Sequence, residues 1–175
     1  DIYGSSTWPT DLGSGSGYGG SIDEVQGGGA IKLTVNGTLR HEGLISSDGG
    51  NTGFSFNGNG GGSGGSILVI ANTLLGSGVM QALGGKINST FTDGGGGGGG
   101  RIAVYVATNT SFVTLSAAPQ APCGGCGSRI GNYGTVYPGS NLRTTSFRFF
   151  ANADALTPGA GLATETATAT IFSTV

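Results

Sequence analysis

A unit of about 35 residues returns along this chain, and a fixed period of that length constrains the fold more than any local propensity. Gly27 to Gly50 reads GGGAIKLTVNGTLRHEGLISSDGG, and Gly61 to Gly85 reads GGSGGSILVIANTLLGSGVMQALGG. A third unit opens with GGGGGGGRIAVYV. Ile31, Ile67 and Ile102 each begin the apolar run, 36 and 35 residues apart. Gly43 answers to Gly78, and Gly49-Gly50 to Gly84-Gly85, both at 35. Equivalent residues of such units stack, so Ile31, Leu33, Val35, Ile67, Val69, Ile102 and Val104 are expected in a shared core.

Within each unit the period is two. Ile31, Leu33 and Val35 alternate with Lys32 and Thr34, the pattern of a half-buried strand. Ile67 to Ala71 is apolar on both faces, as in an interior strand, and Ile102 to Val106 alternates again. Asn36-Gly37 signals a hairpin turn. Leu44-Ile45 before the Asp48-Gly49-Gly50 corner, and Val113 with Leu115, mark shorter runs. No helical periodicity emerges, because β-branched residues and glycine dominate.

Glycine makes up 39 of 175 residues, about three times its usual share of roughly 7%. The run Gly94 to Gly100 reads either as a flexible linker or as an extended polyglycine II segment packed on neighbours. Gly61-Gly62 and Gly64-Gly65 stand at equivalent places, which favours packing. The expected fold class is all-β: a Gly-cornered, β-solenoid-like repeat stack with polyglycine loops and a β-rich tail. Three regions follow: a Gly/Ser-rich cap at 1–29, the repeat domain at 30–137, and C-terminal strands at 138–175. In the first, Trp8 and Tyr3 are expected to cap the end of the core, or Asp1–Trp8 to pair with a neighbouring molecule.

The ordered blocks resemble glycine-rich modules of large extracellular and cell-surface proteins of bacteria and protists. They resemble some plant glycine-rich proteins as well. The matching segments are Tyr3-Gly4-Ser5, Pro9–Gly13, Gly27–Leu33, Gly37–Leu39, Gly60–Ile67, Leu75–Gly85, Gly94–Ile102 and Gly134–Tyr137. Single units look like the rungs of filamentous-haemagglutinin-type β-solenoids. The resemblance implies an extracellular β-rich scaffold without a transferable catalytic set. It ends at Tyr137 and leaves the tail unassigned. The chain opens on Asp1 rather than Met, which reads as a mature or excised product.

In an extracellular chain, Cys123 and Cys126 of CGGC are expected to form a local disulfide, with an intermolecular bond as the alternative. A zinc site would need two more ligands, and the single His41 does not supply them. Asn36, Asn88 and Asn109 open acceptor sequons for glycosylation in expected turns and loops.

Catalytic groupings are not found. His41 in LRHEG is expected at a solvated turn. The acids are scattered, and only Asp48 and Asp93 stand where the stacking of adjacent units would bring two carboxylates together. Charged residues are 9% of the chain and the net charge is −2, which offers nothing to nucleic acid or an anionic membrane. No apolar run approaches the roughly 20 residues of a membrane-spanning helix. The expected protein is not an enzyme, takes no cofactor and lies outside the cell or on its surface. Its expected role is a structural subunit of a fibre, appendage or matrix that assembles with copies of itself by strand pairing. Ile2 and Trp8 at one end and Ile171, Phe172 and Val175 at the other are the expected assembly residues, the tail Ala163–Val175 foremost. The alternative is an adhesin or carbohydrate-binding module, with glycans as partners and Trp8, Tyr18, Phe54, Phe56 and Tyr133 as stacking platforms.

Overall fold

Each apolar run becomes a strand. A computed structural model describes residues 4–16, 25–52, 60–87, 95–109, 113–117 and 131–138. Its strands are β1 (Ala30–Arg40), β2 (Leu44–Ser46), β3 (Ser66–Leu75), β4 (Val79–Gln81), β5 (Arg101–Asn109), β6 (Thr114–Ser116) and β7 (Thr135–Pro138). The described residues hold no helix. The long strands form a parallel sheet in the order β1-β3-β5-β7, and the short ones a parallel sheet in the order β2-β4-β6.

Register follows the sequence period. Ile31 lies beside Ile67, Ile67 beside Ile102 and Ile102 beside Val136. The step of 36 instead of 35 in the first unit has a local cause. Val35 pairs with Ala71 but Thr38 with Thr73, so Asn36 and Gly37 together face the single residue Asn72. This is a β-bulge, two residues opposite one. The expected Asn36-Gly37 turn is therefore corrected: φ at Gly37 is not positive, and the strand runs on to Arg40. The type I′ turn that Asn-Gly favours needs positive φ at both central residues, and parallel pairing with β3 prevails over it.

The two sheets share one apolar core. Ile67, Val69 and Leu74 of β3 and Ile102, Val104 and Val106 of β5 cluster with Met80 of β4 and Leu115 of β6. Leu33, Val35 and Leu39 of β1 and Ile45 of β2 pack against this cluster but stay half-buried, as does Ile31. Full burial was expected for Ile31, Leu33 and Val35. They fall short because β1 is an edge strand, with no described strand beyond it.

Beside the sheets lies a third layer, built chiefly of main chain. The segment 60–65 exchanges main-chain hydrogen bonds with five other described segments. Ser63 N–H reaches Ser14 O at 2.9 Å, Gly28 N–H reaches Ser63 O at 2.8 Å, and Gly62 N–H reaches Gly50 O at 3.0 Å. Gly85 N–H bonds Gly62 O at 2.7 Å, and Gly61 and Gly64 N–H bond Gly95 and Gly98 O at 2.9 Å. A strand in a sheet has at most two such neighbours. Five neighbours describe a bundle of extended chains. Polyglycine II has no internal hydrogen bonds, so its peptide groups must be satisfied sideways, and here they are. Of the two readings of the glycine run, packing holds for Gly95 to Gly100: Gly97 and Gly100 are buried. Glycine is required because a methyl on Gly49 or Gly97 would overlap the Gly62 carbonyl, and one on Gly85 the Gly50 carbonyl.

The solenoid-like stack expected from the period is thereby corrected. The strands sort into two separate parallel sheets of unequal size, four strands and three. The period determines which residues lie side by side, but it does not say how the backbone between them closes. The glycine segments bond in several directions and form a layer, so they are not corner loops of one continuous coil. The expected tail strands at 139–175 and the loop bearing Phe54 and Phe56 lie outside the described residues.

Candidate functional site

Side-chain chemistry gathers on the outer face of the four-stranded sheet. Residues on that face alternate with the core residues: Lys32, Leu68, Ala103 and Tyr137 share one row across the strands, and Ile70 and Tyr105 the next. Leu68 and Ala103 are fully buried although neither belongs to the core cluster. The N-terminal segment crosses this face. Trp8 lies 5.7 Å from the Tyr105 ring, Lys32 Nζ sits 5.3 Å from the Trp8 ring, and Tyr105 is 5.9 Å from Tyr137. Both ring pairs are tilted, a favoured arrangement for aromatic quadrupoles, and the ammonium over Trp8 adds a cation–π contact. The Tyr105 hydroxyl donates to Thr7 O, and the Ser66 hydroxyl donates to Asp11 O at 2.6 Å. Partial burial, with Tyr137 adjacent, raises the Tyr105 pKa above its ordinary value. Trp8 thus covers the sheet face, where an end cap of the core was expected. Trp8 remains 46% exposed.

An open groove of about 170 Å³ runs beside this segment, lined by Asp11, Leu12, Arg101, Asn132, Tyr133 and Thr135 over a glycine floor. That is well below the roughly 300–1,000 Å³ of ordinary ligand pockets. Tyr133 is 67% exposed at its side.

A second set of polar residues holds the units together. The Glu42 carboxylate accepts Ser77 N–H at 3.2 Å, Asp48 accepts Leu83 N–H at 2.7 Å, and Asn51 Oδ1 accepts Lys86 N–H at 2.7 Å. All three bonds span 35 residues, so the first unit's side chains satisfy the second unit's turns. Asp48 also takes the Gln81 amide. Its role is that of a backbone cap; Asp93, its expected partner, lies outside the described residues, which hold no group of three potential metal ligands. The Ser77 N–H and hydroxyl, with Arg40 at 3.0 Å, lower the Glu42 pKa below its ordinary value. His41 is corrected from a solvated turn to a buried one, 7% exposed, with Nε2 at 3.0 Å from Val79 O. Glycine at 78 makes room for its ring. Sequence reasoning missed this role; the signal available was the lone His41 two residues before Gly43, in a chain whose glycines mark close approach.

The third feature is the side of the first unit on which no described strand lies. β1 and β2 are both sheet edges, and Leu44 is 60% exposed. Asn36 projects from the bulge of β1 and is exposed; Asn109 ends β5. Ile2, Asn88, Cys123, Cys126, Ile171, Phe172 and Val175 lie outside the described residues, so of the expected site residues the structure places Trp8, Asn36 and Asn109. No described helix is long and apolar enough to cross a membrane.

Fold and surfaces together define the class: a parallel two-sheet protein braced by a polyglycine bundle, with an aromatic strip on its outer face. No family model, curated protein or solved structure matches the chain.

Proposed function

We propose that the chain is a structural subunit of an extracellular fibre, surface appendage or matrix, joined to its copies by strand pairing. The observation that carries this reading is β1. It is eleven residues long, lies at a sheet edge, and leaves Leu33, Val35 and Leu39 half-buried. Edge strands invite pairing, and proteins usually blunt them with short length, proline, lysine or inward-pointing charge. On β1 the charged Lys32 and Arg40 stand among the exposed positions, and the half-buried ones carry no charge. An extended partner adds to such an edge through main-chain hydrogen bonds. A head-to-tail contact of this kind continues into a filament when its rotation does not close.

Sedimentation velocity across a concentration series, with negative-stain microscopy, tests the reading. Oligomers or fibres that grow with concentration support it, and a monomer at every concentration overturns it. A second reading, a carbohydrate-binding module, draws on Tyr133 beside Asp11 and Asn132 in the groove. Glycan-array binding that is lost in Tyr133→Ala would favour it.

A further inference from the structure

We infer that the β1 side of the chain is a docking surface for a second copy, which arrives with its β7 side. The inference rests on the assembly reading above and names the partner and the contact.

Glycine stands at the head of each long strand, at 29, 65, 100 and 134. Three of these four have to be glycine. A methyl on Gly65, Gly100 or Gly134 would overlap the carbonyl oxygen of Gly29, Gly65 or Gly100, the equivalent residue one unit earlier. Gly29 occupies the same place, yet no described atom lies within 4 Å of a methyl built there, and its φ is not positive. Glycine loses more conformational freedom on folding than any other residue, and in extended chain it often marks a close approach of backbone. The bundle next to it is closed, because residues 13–16 cover Gly27 and Gly28. Gly29 is not. The carbonyl that continues the series 29, 65, 100 is that of Gly134, at the far side of the same chain.

The turn into the second sheet repeats the argument. Gly78 must be glycine because the His41 ring lies 2.5 Å from where a methyl would sit, with the Gly43 carbonyl at 2.7 Å. In the third unit the residue preceding the short strand is Val113, and the unit before it has Gly76 where His41 stands in the first. Glycine stands at 78 against the His41 ring, and valine at 113, where the preceding unit has Gly76 in the place of His41. Gly43 has no described atom within 4 Å of a methyl. Gly29 and Gly43 both lie on the side of the first unit beyond which no strand is described.

The internal contact between β1 and β3 is the template. Carried one step outward, it places Thr135, Val136 and Tyr137 of the second copy beside Ala30, Ile31 and Lys32. Ile31 and Val136 are both half-buried and lie at the two margins of the same sheet, beyond which no strand is described.

The test uses the full chain with Gly29→Val and Gly43→Val, singly and together, and reads assembly by sedimentation velocity and melting by circular dichroism. The expected result is an unchanged melting temperature, read below the wild-type critical concentration, and a critical concentration for assembly raised at least tenfold. A lowered melting temperature would show that these positions are not open and would overturn the inference. Variants that assemble like the wild type would overturn it too, while leaving the assembly reading in place. A wild-type chain that never assembles defeats both. Truncation before Ala163 separates the other occupant: lost assembly in the truncated chain, with Gly29→Val still assembling, assigns the edge to the tail instead.

Discussion

The apolar core and the glycine bundle are built from the same repeat, and they bring neighbouring units together in opposite ways. In the core, Ile67, Met80 and Leu115 fill the space between two sheets with side chains. In the bundle the side chain is what has to be missing, so that Gly50, Gly62, Gly85 and Gly97 meet main chain to main chain at 2.7–3.0 Å. The core draws on apolar area removed from water. The bundle buries little apolar area and must order glycine, the residue that loses most backbone freedom on folding. Each of its hydrogen bonds is worth only about 0.5–1.5 kcal/mol net, but an unmade buried one costs about 1–3 kcal/mol. The bundle is thus a layer that tolerates few errors, leaning on a core that supplies the driving force.

That contrast can be broken first in the bundle. Gly85→Ala places a methyl on the Gly50 carbonyl, where both partners are backbone and neither can rotate away. The expected loss exceeds the roughly 1–3 kcal/mol of ordinary overpacking, and the variant should fail to fold cooperatively in a urea titration. A Gly85→Ala protein that melts like the wild type would show that the bundle is loose. In the core, Ile67→Ala removes a fully buried side chain. The expected destabilisation is about 2–5 kcal/mol, read as a lower urea midpoint with cooperativity kept. A smaller loss would mean that the sheets can close over the cavity.

Between the two regions stands Asp48, which caps Leu83 and Gln81 of the next unit. Asp48→Ala leaves a half-buried N–H without its acceptor, an effect of about 1–3 kcal/mol. Asp48→Asn should recover part of it, whereas a mere loss of charge would leave the two variants equal. The smallest expected effect is that of Glu42. Its folded pKa lies below the ordinary value, so its contribution is present above that value and fades as pH falls through the folded one. The melting temperature of Glu42→Gln should therefore approach that of the wild type in acid and lie slightly below it near neutrality. A constant gap across the range would assign the difference to something other than the carboxylate.

Much of this architecture was legible, and the misreadings have local causes. The period foretold the side-by-side rows of Ile31, Ile67 and Ile102. Asn36-Gly37 misled because a two-residue turn signal carries no knowledge of β3, whose pairing draws the chain straight on through a bulge. His41 misled because its burial depends on Gly78, a residue from the next unit. Trp8 misled because the row it covers, Leu68 and Ala103, looks outward from a sheet whose two-sided burial the N-terminal segment completes.

By itself the sequence determined the unit, its strands, its register and the places where a side chain is forbidden, because periodicity and the absence of Cβ are properties of the chain. Only the tertiary structure decided that these units close as two unequal sheets and a hydrogen-bonded bundle. A glycine's peptide group can bond in any sideways direction, and which direction it takes is settled by the neighbours that arrive.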